Sequence, residues 1–524
     1  MKLVIDNIEI PPGESADAIG PILREHLGLR SDPEWIIEHR SLDARDRRRI
    51  VFRYRVAVDL QEETARAALA LPGVSVHEPR ACPPAPRSPK GLEVVIVGAG
   101  PAGLFCALRL IDAGARVSVL ERGRPVEERM AHIRALKEAG RLEAESNVLF
   151  GEGGAGAYSD GKLTTRIHRP EVEWFFRTII ECGAPPEILY EARPHIGTDR
   201  LVPVLGAIRK RIEEAGSLIR FGERVTGFVR ENGGAAGVLT AGGGEYRGKA
   251  VVMATGHSAR DVYEMLAREG IALEKKGFAV GVRVEHPARL IDRIRYGDAA
   301  GNGLLPAAEY RLAFNDARSG RGVYSFCMCP GGEVVNSSSE KGMLCVNGMS
   351  YAARDGKFSN AAIVVSVAPS DLGEGALAGI EFQRGIERAA YEAGGGSWTA
   401  PAERIRTFLF GGEDERVPET SYRPGVSPAR VRSYLPGWVA DALTLGLKSF
   451  DRKMKGFIGD EGVIIGAETR SSSPVRVVRG VDLQSVSLPF LYPVGEGAGH
   501  AGGIVSSAVD GIRAADAICA ANGA

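Results

Sequence analysis

Glu93-Val-Val-Ile-Val-Gly98-Ala-Gly100-Pro-Ala-Gly103-Leu-Phe105 decides how this chain is read, and twenty-three residues after Gly98 stands Glu121, in Val117-Ser-Val-Leu-Glu-Arg122. An apolar run, a glycine turn, a helix start, a second apolar run and a terminal acid make up a βαβ unit that binds an adenine dinucleotide. Gly98 permits the tight turn, Gly100 lets backbone approach a pyrophosphate, and Gly103 lets helix and strand pack closely. Pro101 and Ala102 open the helix, whose unpaired N–H groups and partial positive charge face the phosphates. Glu121, at the end of the second strand, is placed to accept both hydrogen bonds from the adenosine ribose hydroxyls, with Arg122 beside it. Gly151-Glu-Gly153-Gly-Ala-Gly156 and Gly497-Ala-Gly499-His-Ala-Gly502 also fit GxGxxG, yet neither lies in a complete βαβ unit with a downstream acid.

A length of 524 residues suggests about three domains. Hydrophobic residues at 44% and charged residues at 25% describe an ordinary soluble globular composition. Sixty-six basic residues balance sixty-six acidic ones, so no global field recruits nucleic acid or anionic membrane. No signal peptide and no apolar run long enough to span a bilayer is visible. The seven cysteines are scattered and odd in number, which fits reduced thiols in a cytoplasmic protein.

The first 81 residues read as a ferredoxin-like βαββαβ domain. Its clearest strand alternates Ile50, Phe52, Tyr54, Val56, Val58 and Leu60 against Arg53, Arg55 and Asp59. Its hairpin carries Arg40, Arg45, Arg47, Arg48 and Arg49, read either as a site for RNA or an acidic protein or as a solvated turn interleaved with Asp43 and Asp46. No aromatic RNA-recognition signature accompanies the arginines, so the solvated turn is the preferred reading. A proline-rich linker over 82–91 follows. Residues 92–274 then read as the first part of a cofactor domain, with a β-meander starting at Ile219 and a buried strand running into Ala254-Thr255-Gly256. Residues 275–450 read as an inserted α+β substrate or cap domain, and 451–524 as the return to the cofactor domain.

Two distant pieces point to FAD rather than NAD. Beside Ala254-Thr255-Gly256 stands Leu491-Tyr-Pro-Val-Gly495-Glu496-Gly-Ala-Gly499-His-Ala-Gly502-Gly503-Ile504. In flavoproteins a strand ending in Gly-Glu or Gly-Asp presents its acid to the ribityl–phosphate region, and the next helix aims its N-terminus at the flavin ring, stabilising the anionic reduced form. This arrangement resembles the flavoprotein superfamily that includes fumarate reductase, and within it a family of uncharacterised FAD-dependent dehydrogenases. The resemblance covers nearly the whole chain. It rests on phrases such as Gly153-Gly-Ala-Gly-Ala-Tyr-Ser-Asp-Gly-Lys-Leu163, Gly256-His-Ser-Ala-Arg-Asp261, Ser325-Phe-Cys-Met-Cys-Pro-Gly-Gly332 and Glu468-Thr-Arg-Ser-Ser-Ser-Pro474.

The resemblance implies that the loop containing Gly153, Gly154, Ser159, Asp160 and Lys162 touches the cofactor, with Val225 also contributing to its site. Lys162 would balance phosphate or reduced-flavin charge; the plainer alternative is an ordinary glycine loop. His257, Arg260 and Arg470 are the candidate catalytic residues: a proton carrier and two grips for an anionic substrate. The alternatives are a hydrogen-bonded turn histidine, an Arg260–Asp261 ion pair and a structural hinge at Arg470. Cys327 and Cys329 share one face if the strand is regular, but a disulfide over so short an interval is strained, so buried thiols are preferred. No metal site is expected.

The resulting expectation is an α/β chain with a discontinuous Rossmann-like FAD-binding domain, an inserted α+β substrate or cap domain and a ferredoxin-like N-terminal domain. It would transfer hydride between FAD and an unidentified small-molecule substrate, with NAD(P)H a transient donor because no second complete fingerprint is present. The alternative function is a flavin-containing factor whose N-terminal domain binds RNA or a protein. Neither nucleic acid nor membrane insertion is expected, and the sequence sets no oligomeric state.

Overall fold

In the computed structural model, which describes residues 1–78 and 82–523, the fingerprint strand Glu93–Val97 lies at the centre of a five-stranded parallel sheet. Its order is Leu491–Pro493, Ala250–Met253, Glu93–Val97, Arg116–Glu121, Leu218–Phe221. Val94 to Val97 are buried, as strands covered on both faces must be. The sheet is discontinuous in sequence: Leu491–Pro493 closes it by parallel pairing with Ala250–Met253. Helix Pro101–Asp112 starts with proline in its first turn and packs against helix Ile504–Asn522. Contact there is backbone-close, since a Cβ on Gly511 would lie 2.0 Å from the Ala102 carbonyl oxygen.

One strand of the expected meander belongs elsewhere. Leu218–Phe221 pairs in parallel with Arg116–Glu121, which makes it an edge of the main sheet. The meander consists of Val225–Glu231, Gly234–Thr240 and Glu245–Arg247.

A second, seven-stranded sheet runs Ala313–Asn315, Gly322–Cys329, Phe358–Val367, Phe278–Pro287, Val463–Glu468, Ala400–Arg404, Val426–Pro428. The expected boundary at 450/451 is therefore displaced. Val463–Glu468 is buried along its whole length and pairs antiparallel with Phe278–Pro287 and Ala400–Arg404, so the return to the first sheet begins after it. The two crossings between the sheets are laced together where Leu273–Lys275 pairs with Val475–Val477.

The N-terminal sheet has the order Trp35–Asp43, Val51–Asp59, Lys2–Ile10, Val74–Val76, with helices Ile19–Leu27 and Glu62–Ala68. The expected 81/82 boundary lies outside the described residues. The arginines of the hairpin are largely engaged within the molecule. Arg40 pairs with Glu191, Arg45 with Asp43 and Arg49 with Glu9, while Arg47 donates to the Ile294 carbonyl. Leu42, Ala44 and Ile50 pack against the core of the second sheet, so this hairpin docks the N-terminal unit onto the rest of the chain. The linker is likewise strapped down, with Arg109 donating to the Pro83 and Pro84 carbonyls.

Candidate functional site

A cavity of about 760 Å³ extends from the fingerprint turn to strand Gly322–Cys329, next to the edge of the second sheet. At one end, Gly98 takes a φ of 107°, and a Cβ there would lie 2.5 Å from the Ala254 carbonyl oxygen, so the turn admits no side chain. Gly103 is fixed by packing too, since its Cβ would fall 1.9 Å from the Gly98 carbonyl oxygen; it supports the turn without lining the cavity. Gly100 differs. A Cβ there meets protein only at 3.9 Å, in the wall of the cavity. Its glycine answers to what enters the cavity, which is the cradle a pyrophosphate needs. The helix that follows carries no side-chain cap, leaving its first-turn N–H groups for such an anion.

Glu121 is buried and already accepts three backbone hydrogen bonds, from Ala99 N (2.8 Å), Gly123 N (2.9 Å) and Gly151 N (3.0 Å). A carboxylate offers roughly four acceptor positions. One ribose hydroxyl fits without displacing a backbone bond; the pair expected from sequence does not. Arg122 forms a double hydrogen bond to Asp261 (2.8 and 3.2 Å), bonds Glu145 (2.6 Å) and lies over the Phe150 ring. Its charge is spent within the wall.

Beside that turn stand Ala254 and Thr255, and the same wall continues through Gly256, Gly495, Glu496, Gly502, Gly503 and Ile504, joined by Val225. Gly256, Gly502 and Gly503 have open space where a Cβ would stand. Helix Ile504–Asn522 also lacks a side-chain cap, and its N-terminus opens into this space. The two decoy glycine phrases therefore serve the same cavity. Gly154, Ser159, Asp160 and Lys162 line it, whereas Gly153 packs beneath, where its Cβ would strike Leu205 at 2.4 Å.

The polar groups of that loop are more self-contained than expected. Ser159 Oγ donates to the Gly156 carbonyl and accepts from Gly161 N. Asp160 is paired with both Arg354 and Lys162. Burial works against its charge, yet those two cations hold its carboxyl below the ordinary range. Lys162 remains cationic despite burial because of Asp160, and it also donates to the Met328 carbonyl.

The three catalytic candidates separate. His257 lines the cavity with Nε2 3.1 Å from the Arg470 carbonyl oxygen, so Nε2 carries the proton, and Nδ1 lies 3.6 Å from Glu496. Burial lowers its pKa, only partly opposed by Glu496, which leaves a neutral imidazole with an open acceptor nitrogen. Arg260 is corrected: it is buried outside the cavity lining and binds Glu387 (2.9 and 2.7 Å), Glu340 and Gln383. It does not pair with Asp261, which turns instead to Arg122. Arg470 touches the cavity, but its fork grips Glu387 (3.0 and 2.8 Å) and Ser339 (2.7 Å), so it is a tie rather than a substrate grip.

Sequence reasoning missed the opposite wall. Glu309, Tyr310, Arg311, Tyr324, Cys327 and Met328 all reach the cavity from the second sheet and its approach loop. The glycine code had no counterpart there; only the Ser325–Gly332 phrase pointed to it. Arg166 and Arg311 stand exposed at the cavity, with no ion pair among the described residues.

Residues 277–471 match the family model described as FAD-dependent protein, C-terminal domain-like, and residues 93–132 match the FAD binding domain model. A Clostridium beijerinckii protein described as uncharacterised is 44% identical over 427 residues, which is 81% of this chain and 80% of that one. Among solved structures, CtdE in complex with FAD is 13% identical with a TM-score of 0.31, covering 82% of this chain and 84% of its own. A flavin-dependent brominase triple mutant is 12% identical with a TM-score of 0.36, covering 82% of this chain and 81% of its own. Quinol fumarate reductase of E. coli is 12% identical with a TM-score of 0.34, covering 83% of this chain and 71% of its own.

Proposed function

The chain belongs to a family of FAD-dependent proteins, and from that premise we propose that it is an oxidoreductase acting on a small molecule. One observation carries the reading. A glycine-lined channel flanked by two neighbouring uncapped helix starts opens, within the same cavity, onto a polar and aromatic wall from the second sheet.

FAD, when bound, supplies hydride acceptance and donation. The residues around it would divide the remaining work. Gly98, Gly100 and the Pro101–Asp112 helix start hold the pyrophosphate, and Glu121 holds one adenosine ribose hydroxyl. Ala254–Gly256, Gly495, Glu496 and the Ile504–Asn522 helix start hold the flavin end. Nδ1 of His257 accepts the proton that accompanies hydride loss from a substrate, while its Nε2–H stays anchored on the Arg470 carbonyl. Tyr310, Tyr324 and Met328 exclude water from the substrate side. Arg166 and Arg311 favour a substrate with an anionic group, and the same charges suit the phosphates of NAD(P)H as a visiting donor. The basic N-terminal hairpin is a docking element in this reading, with no nucleic-acid partner.

Purified protein should carry FAD or take it up, and an anaerobic screen of metabolites and NAD(P)H should find a compound that bleaches it. His257→Ala should slow that bleaching about a hundredfold or more, the usual contribution of general acid–base catalysis. A colourless protein that cannot be reconstituted removes the cofactor assignment. Bound flavin that no donor reduces removes the oxidoreductase reading.

A further inference from the structure

The strand Gly322–Cys329 is not regular at its end. Phe326 pairs with Ala362 and Cys329 with Asn360, so Cys327 and Met328 together oppose one residue of the neighbouring strand. Cys327 takes a φ of 44°, a left-handed conformation that costs a non-glycine residue free energy and that clusters at functional sites. The bulge is held in place from outside. Arg283 donates to the Cys327 carbonyl (3.2 Å), and Lys162 donates to the Met328 carbonyl.

The consequence for the two thiols is specific. In a regular strand, residues two apart lie about 6.8 Å apart, at the outer edge of what a disulfide spans. Here the Cys329 thiol turns back and donates to the Cys327 carbonyl oxygen at 3.3 Å. Cys327 lines the cofactor cavity while Cys329 is wholly buried behind it. The neighbouring Cys329 thiol, then the charges of Arg283 and Lys162, hold the Cys327 thiol below the ordinary cysteine range against its burial, while the Cys327 thiol and burial push Cys329 above it. The half-buried sulfur faces the cavity and its fully buried neighbour stands behind it, which is the placement of an attacking and a resolving thiol.

We propose that Cys327 and Cys329 form a redox-active pair that exchanges two electrons with the flavin in this cavity. The inference rests on the FAD assignment above. In the oxidising direction the two S–H groups lose two protons and two electrons as a bond forms between their sulfurs. The flavin takes up the two electrons with one proton, and the second proton leaves to solvent. The reverse direction cleaves the S–S bond and returns both thiols. The strain inherent in so small a ring makes the disulfide readily reducible.

Air-oxidised holoprotein, titrated anaerobically with dithionite, should take up four electrons per flavin: two for the flavin and two for the disulfide couple. Mass spectrometry of the alkylated peptide containing residues 327–329 should show the linked form before titration and two alkylated thiols after it. Cys327→Ser and Cys329→Ser should each keep bound flavin and fall to two electrons. Wild-type protein that takes up only two electrons, with both thiols open to alkylation after air oxidation, overturns the pair and leaves the cofactor assignment standing. Protein that cannot be loaded with flavin overturns the cofactor assignment instead, and with it the inference.

Discussion

Gly100 and Gly103 look equivalent in the fingerprint, yet their neighbours give them different jobs. Gly100 has a φ of −81° and a ψ of −178°, which any residue adopts, and its Cβ would clear protein by 3.9 Å. Gly100→Ala should leave the melting temperature of the apoprotein unchanged and weaken FAD binding about tenfold or more, the equivalent of roughly 1.4 kcal/mol. Gly103→Ala should do the opposite first, because its Cβ would overlap backbone at 1.9 Å. The apoprotein should lose on the order of 1–3 kcal/mol, read by denaturant unfolding. Equal effects of both substitutions on the apoprotein would contradict the division. Glu152 supports a pH prediction at the same scale. It is wholly buried, one of its oxygens has no hydrogen-bond partner among the described residues, and burial pushes its carboxyl up to about 7. An unfolded glutamate releases its proton near pH 4.3. Between those values the folded chain holds a proton that the unfolded chain has lost, so this group's stabilising contribution falls as pH rises. Glu152→Gln cannot ionise. Its unfolding midpoint relative to wild type should therefore climb from about pH 5 to about pH 7 and then continue upward only while wild type ionises further.

Glu387 shows how elements are tied behind the cavity. It sits on helix Ala378–Ala393 and receives Arg260 from helix Arg260–Arg268, Arg470 from the end of strand Val463–Glu468, and the Thr469 hydroxyl at 2.5 Å. Burial opposes its charge, but the two arginines overcome that and hold its carboxyl far below the ordinary range. Glu387→Gln leaves two buried cations facing a neutral amide, and should destabilise the protein by about 3–5 kcal/mol. Asp460→Asn is the control: Asp460 is 81% exposed in its pair with Arg406, and its loss should leave the denaturation midpoint unmoved. These ties explain what the sequence made legible. The fingerprint, Ala254–Gly256 and Gly495–Ile504 declared themselves because a backbone approached by ligand or by backbone demands glycine, which is a local signal. The placement of Val463–Glu468 was not legible, because a strand buried on both faces carries no alternation. Arg260 and Asp261 are adjacent in sequence, but successive helix residues point about 100° apart, so their partners lie on opposite sides. The wall of Glu309 to Met328 was hidden because ordinary strand residues reach the cavity there, and their pairing across the second sheet sets their direction.

The whole molecule is organised around a cavity that no single segment encloses. Its walls come from residues 97–122, 149–166, 223–225, 254–262 and 494–507 on one side and 309–328, 347 and 470–471 on the other. A ligand that touches all of these binds the assembled chain and has no site on the unfolded one. FAD at about a hundred times its dissociation constant should therefore add about 2.7 kcal/mol to the unfolding free energy. The melting temperature should rise with the logarithm of free FAD, with no plateau over that range. Gly100→Ala separates this linkage from a general effect of added nucleotide. Its apoprotein should melt with wild type, and its curve against FAD should be displaced to concentrations higher by the factor lost in affinity. A melting temperature indifferent to FAD in both proteins would mean that the cavity is not where FAD binds. A rise of equal size at equal concentration in both would mean that the pyrophosphate does not sit at Gly100, because only contact there makes the substitution visible to the ligand and invisible to the fold.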